Sequence, residues 1–143
     1  MKLNAIARGL TASVLLLASS ALLAQDKVVY HINDAAAQAT AGLRNIRNHL
    51  DVAPDTKITV VTHAAGIDFL REGAKDPKNP DIDYGALVSA LKARGVRFEI
   101  CEITLRGANL KKDQFTMDAD FVPSGVARIT QLQTREGYAY LKP

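Results

Sequence analysis

Residues 57–62 read Lys-Ile-Thr-Val-Val-Thr, a nearly continuous apolar run. A strand with one face in water alternates apolar and polar side chains, whereas an unbroken run marks a strand covered on both faces, as in a parallel sheet between two helical layers. Upstream, residues 27–33 (KVVYHIN) form a second strand pattern rich in Val, Ile and Tyr, and Asp34 offers an N-cap for a helix directly behind it. Ala36, Ala39, Leu43, Ile46 and Leu50 then recur at spacings of three and four, one face of a helix, until Pro54-Asp55 breaks the pattern.

The alternation continues downstream. A short helix is expected over 67–74, a polar loop with two prolines over 75–80, and a helix from Asp81 or Asp83 that turns Tyr84, Leu87, Val88 and Leu91 to one side and stops at Gly95. Residues 96–101 (VRFEIC) make the third strand. A short helix over 104–112, weakened by Gly107, and a brief strand at 120–122 come next. Pro123-Ser124-Gly125 opens a last helix with Val126, Ile129 and Leu132 facing inward and Gly137 as its end, and 138–141 (YAYL) gives a fifth strand. Strands alternating with helices predict an α/β fold, a three-layer α/β/α sandwich around a mainly parallel five-stranded sheet.

The first 24 residues stand apart. Lys2 and Arg8 supply a positive start, residues 10–23 are uncharged, and Ala24 offers a small residue for cleavage. They read as a signal peptide, which places the mature domain, residues 25–143, in the periplasm. An apolar run this short falls below the roughly 20 residues a membrane-spanning helix needs. The chain carries 18 basic and 15 acidic residues; without Lys2 and Arg8 the excess nearly vanishes, and with it any argument for nucleic acid or an anionic membrane.

In a parallel sheet the ligand site lies outside the carboxyl ends of the strands. That rule singles out Asn33 and Asp34, His63, Cys101 with Glu102, and Pro123 with Ser124. Cys101 is the sole cysteine, so it makes no internal disulfide. It is a packed side chain, an intermolecular link or a nucleophile, and a helix starting just after it would favour the thiolate. Arg106 in that helix is a candidate for adding positive charge or holding a small anion. His63 is a candidate proton carrier across the rim, with a structural role as the alternative. Asn33 suits a ligand hydrogen bond or a turn cap, and Arg106 and Asn109 suit ligand or subunit contacts equally. His31 is expected in the core or an interface, and His49 in solvent. Three histidines without short spacing and one cysteine give no metal signature. Asp34-Ala35-Ala36-Ala37 replaces the glycine-rich loop a mononucleotide would need, so no cofactor is implied.

The stretch Cys101-Glu102-Ile103-Thr104-Leu105-Arg106-Gly107-Ala108-Asn109-Leu110, the turn Phe121-Val122-Pro123-Ser124-Gly125-Val126-Ala127-Arg128 and the terminal Gly137-Tyr138-Ala139-Tyr140-Leu141-Lys142-Pro143 together resemble the DsrE/DsrF-like family of small sulfur-handling proteins. Within it they resemble the exported branch. The resemblance implies a DsrEF-like fold, assembly into homo-trimers or hexamers, and a cysteine, matched by Cys101, that carries sulfane sulfur as a persulfide. It implies a small sulfur donor or a protein acceptor, although the cytoplasmic carriers used by better understood relatives would be out of reach. The competing expectation is a non-catalytic oligomeric binding module in which Cys101 only packs. Neither reading establishes enzymatic turnover.

Overall fold

The computed structural model describes residues 25–143. The expected signal peptide, residues 1–24, lies outside the described residues. Strands β1 (Lys27–Asp34), β2 (Lys57–Ala65), β3 (Arg97–Cys101), β4 (Ala119–Val122) and β5 (Ala139–Leu141) form one sheet in the order β4-β3-β2-β1-β5, with every pairing parallel. The KITVVT run is the middle strand, and Ile58 through Thr62 are all buried.

Two helical layers of unequal weight cover the sheet. On one face Val28, Tyr30, Ile32, Ile58, Val60, Phe98 and Ile100 pack under α1 (Ala35–Val52) and α2 (Tyr84–Ala93) in the main core. Burying each large aliphatic side chain of α1 that points inward, Leu43, Ile46 and Leu50, contributes about 1.5–3 kcal/mol. On the other face a smaller cluster joins Val29 and Val61 to Ile129 and Leu132 of α4 (Gly125–Glu136). Among the described residues no helix is long and apolar enough to cross a membrane.

Several expectations need correcting. The helix anticipated over 67–74 is a single 3₁₀ turn, Asp68–Leu70. The backbone beyond it is claimed by another segment: Thr116 N–H donates to Leu70 C=O at 2.9 Å and Glu72 N–H to Gln114 C=O at 3.0 Å, bonds that a helix would have to give up. The helix expected over 104–112 begins earlier, as α3 (Glu102–Gly107), and a separate 3₁₀ turn comes after it at Lys112–Gln114. Ala36 is exposed, because α1 turns Ala35, Gln38 and Ala39 inward. Leu87 lies at the edge of its helix face, 37 % exposed, and Val126 is 61 % exposed, because Gly125 takes the inward position of that turn. Elsewhere the punctuation holds. Asp34, Asp83 and Ser124 each accept a hydrogen bond from the N–H three residues on, and Gly137 closes α4 in the left-handed region at φ 73°.

Candidate functional site

Cys101 ends β3 and is itself the N-cap of α3, so the chain turns from strand to helix at the sulfur-bearing residue. Neighbouring strand residues Phe98 and Ile100 point into the main core, and by alternation Glu99 and Cys101 point to the α4 side. Cys101 is 4 % exposed. Burial alone would push its thiol up. Neighbouring donors outweigh that: the N–H groups of Gly125, Thr104 and Ile103 and the Thr104 hydroxyl bring its pKa below the ordinary thiol value of 9.0. Two helix starts, those of α3 and α4, thus supply the donors.

The enclosure is tight. A Cβ added to Gly125 would lie 3.2 Å from Cys101 Cβ, 3.2 Å from Thr62 C=O and 3.3 Å from His63 Cβ. Cys101 and His63 are therefore neighbours across one glycine, which lets α4 approach the strand ends closely. Thr104 ties the site to β2: its hydroxyl accepts from Ala64 N–H at 3.0 Å. Ala64 sits at φ 49°, a left-handed conformation that costs a non-glycine residue about 1–2 kcal/mol and is held here by that bond.

His63 does not stand alone. Its Nε2 lies 2.7 Å from Nε2 of His31, and His31 Nδ1 lies 2.6 Å from the Tyr140 hydroxyl. The ring centroids are 4.7 Å apart, most of which is the nitrogen-to-nitrogen gap, so the imidazoles meet tip to tip. One Nε2 must carry the hydrogen and the other accept it. Burial, then His63, then Lys142 lower the pKa of His31 to about 4; burial and Lys142 lower that of His63 as well. At neutral pH both rings are uncharged, and the chain Tyr140–His31–His63 links the β5 edge to the end of β2.

The family model for the DsrE/DsrF-like family matches residues 7–143. The chain belongs to the DsrE/DsrF-like family. Its fold is similar to that of a protein of unknown function, MTH1491 from Methanobacterium thermoautotrophicum, with a TM-score of 0.73 and 33 % identity over 83 % of this chain and 100 % of that one. The ychN protein from E. coli shares the fold at a TM-score of 0.66, with 11 % identity over 83 % of this chain and 99 % of that one. No curated protein matches.

In this DsrE/DsrF-like protein the strand-end residues divide. Cys101 and His63 come together at Gly125. Asn33 is the next-to-last residue of β1, and its N–H donates to Gln38 Oε1 at 2.9 Å. Arg106 and Asn109 lie at the far end of α3 from the sulfur. Arg106 turns back to Glu102 at 3.6 Å, and Glu102 also takes Lys112 at 2.5 Å, which holds its carboxyl below the usual range. Asn109, at φ 53°, adopts the left-handed conformation that closes the turn after α3, a conformation asparagine tolerates well. His49 is half-buried rather than solvated, 3.2 Å from the Tyr30 hydroxyl.

Three participants are not singled out by the sequence patterns. Gly125 and Thr104 contribute a close approach and a hydroxyl, and the signal for Thr104 is that a strand-ending cysteine directly before a helix is its N-cap, which sets Thr104 in the first turn. Glu99 is the third: a carboxylate inside the apolar strand VRFEIC requires a buried cation, which Arg128 supplies. Among the described residues no three His, Cys, Asp or Glu side chains converge as a metal site. A groove of about 620 Å³ between α1 and α2 lies across the sheet from Cys101.

Proposed function

We propose that this chain is a periplasmic carrier of sulfane sulfur, held as a persulfide on Cys101, and that it works as a homo-oligomer of the trimer or hexamer type. The observation that carries the reading is a cysteine that starts α3 and packs against Gly125 at the start of α4, where nearby N–H groups lower its pKa and favour an anion. With thiosulfate, the Cys101 thiolate attacks the sulfane sulfur, the sulfur–sulfur bond breaks and sulfite leaves with the electron pair. With a polysulfide, a chain shorter by one sulfur leaves. The same N–H groups then face the persulfide anion. His63, a neighbour of Cys101 across Gly125, is the candidate to exchange a proton with the arriving or departing group, and Arg106 and Asn109 remain for subunit or partner contacts.

Intact-protein mass spectrometry of the mature, reduced chain after exposure to polysulfide or thiosulfate tests this. Wild type should gain sulfur that reductant removes, and Cys101→Ser should gain none. A wild type that stays unmodified overturns the carrier reading. One observation favours the second reading, an oligomeric binding module with a structural cysteine: Cys101 is buried. On that reading the thiol resists alkylation until the protein unfolds, and Cys101→Ala keeps its fold and its assembly.

A further inference from the structure

Glu99 stands in β3 two residues before Cys101, on the same side of the strand, and is 1 % exposed. A carboxylate at that depth stays charged only when it is paired. Its Oε1 accepts from Arg97 Nη2 at 3.0 Å and its Oε2 from Arg128 Nε at 2.9 Å. Arg97 is largely in water, its side chain 56 % exposed, whereas that of Arg128 is 16 % exposed and also reaches Glu136 Oε1 through Nη1 at 2.6 Å. Arg128 is the inner partner, and it joins α4 to β3.

The attachment matters because of where it falls. Gly125, Arg128, Ile129 and Leu132 share the sheet-facing side of α4 at helical spacing. The apolar anchors, Ile129 and Leu132, lie beyond the first turn, and they pack on Val29 and Val61 of β1 and β2 rather than on β3. The first turn itself has no apolar anchor, since Val126 points outward at 61 % exposure. Yet that turn carries Gly125, whose Cβ position lies 3.2 Å from Cys101 Cβ and whose N–H lowers the pKa of the thiol.

We propose that Arg128 is a positioning residue for Cys101: its ion pair with Glu99 holds the first turn of α4 against β3 and keeps the Gly125 N–H over the sulfur. The inference rests on Cys101 being the reactive atom, whatever that atom carries. Arg128 acts through Glu99 and the helix, without contact with the sulfur.

The test is the rate of Cys101 alkylation by iodoacetamide as a function of pH, with the melting temperature of each protein recorded alongside. Arg128→Met alone leaves Glu99 with one exposed partner, so Glu99→Gln combined with Arg128→Met, which buries no unpaired charge, is the main variant. Its alkylation midpoint should rise by about one pH unit, with about tenfold slower reaction at neutral pH. Arg128→Lys, which keeps a cation for Glu99 but loses the fork, should shift in the same direction by less. Glu136→Gln, which frees only the outer end of Arg128, should leave the midpoint in place. A purely structural ion pair would lower the melting temperature and leave the midpoint of the folded variants at the wild-type value, and that result overturns the inference. A wild type that alkylates only on unfolding overturns the reactive-thiol reading and this inference with it, so the two failures are distinguishable.

Discussion

At the scale of single residues, two glycines set the geometry of the strand ends, and they differ in what surrounds them. A Cβ on Gly66 would lie 2.0 Å from the Ile32 carbonyl oxygen, 2.5 Å from its carbon and 2.6 Å from Asn33 Cα. All three are backbone atoms of β1, at the point where the β1–β2 register shifts, so nothing flexible can yield. Gly66→Ala should cost about 3 kcal/mol through overpacking, read as a lower urea midpoint with an unchanged slope. An unchanged midpoint would mean that the approach relaxes freely. Gly125 is less confined, at 3.2–3.3 Å from its neighbours, so a methyl group there asks for a shift of only a few tenths of an ångström. Gly125→Ala should therefore cost only about 1 kcal/mol. The shift nevertheless moves a donor away from the sulfur. Alkylation of Cys101 at neutral pH should slow several-fold while the melting temperature falls by only about 3–6 °C, and a rate equal to wild type would show that the Gly125 N–H contributes nothing.

At the scale of elements, α1 and α4 are capped alike and anchored differently. Both accept an N-cap hydrogen bond, Asp34 from Ala37 N–H at 3.1 Å and Ser124 from Ala127 N–H at 3.3 Å. α1 has a full apolar face in the main core, whereas α4 has Ile129 and Leu132. Losing a cap costs about 1 kcal/mol in either helix, but in α4 the loss falls on the turn with no apolar anchor. Ser124→Ala should speed hydrogen exchange in the first turns of α4 and leave α1 protected; equal exchange in both helices would show that α4 is held by more than these contacts. The same contrast explains which elements are legible in the sequence. Helices α1 and α2 and all five strands announce themselves through periodicity and through Asp34, Asp83, Gly95 and Gly137. The helix expected over 67–74 does not form because tertiary hydrogen bonds from residues 114–116 outcompete local propensity, and no window around residue 70 contains that information. Val126 turns outward, against its periodicity, because the inward position of its turn is occupied by a residue without a side chain.

At the scale of the whole molecule, the parallel alternation makes the rim legible, and Cys101 and His63 do meet there. Their surroundings are not legible in the same way. The His31–His63–Tyr140 chain joins residues 31, 63 and 140, which only the β2-β1-β5 strand order makes neighbours. That chain gives the fold an acid sensitivity with a definite sign. Folded His31 takes a proton only near pH 4, held there by burial, by His63 and by Lys142, whereas in the unfolded chain it takes one near 6.5. His63 is lowered in the same direction. Between those values the unfolded state binds more protons, so stability is full above about pH 6.5 and falls as the pH drops toward 4. Solvent screening of half-buried rings limits the loss to about 1–2 kcal/mol. Asp76 and Glu102, whose carboxyls are lowered by hydrogen bonds from Thr40 and Lys112, add their losses only as the pH falls through the carboxylate range below that window. Urea unfolding followed from pH 7 to pH 4 should show the midpoint falling over the upper part of that range, with His31→Gln flattening the fall. A wild-type midpoint that stays level between pH 6.5 and 5 would mean that the two rings take up a proton in the folded state as readily as in the unfolded one, and that the tip-to-tip pair opens at little cost.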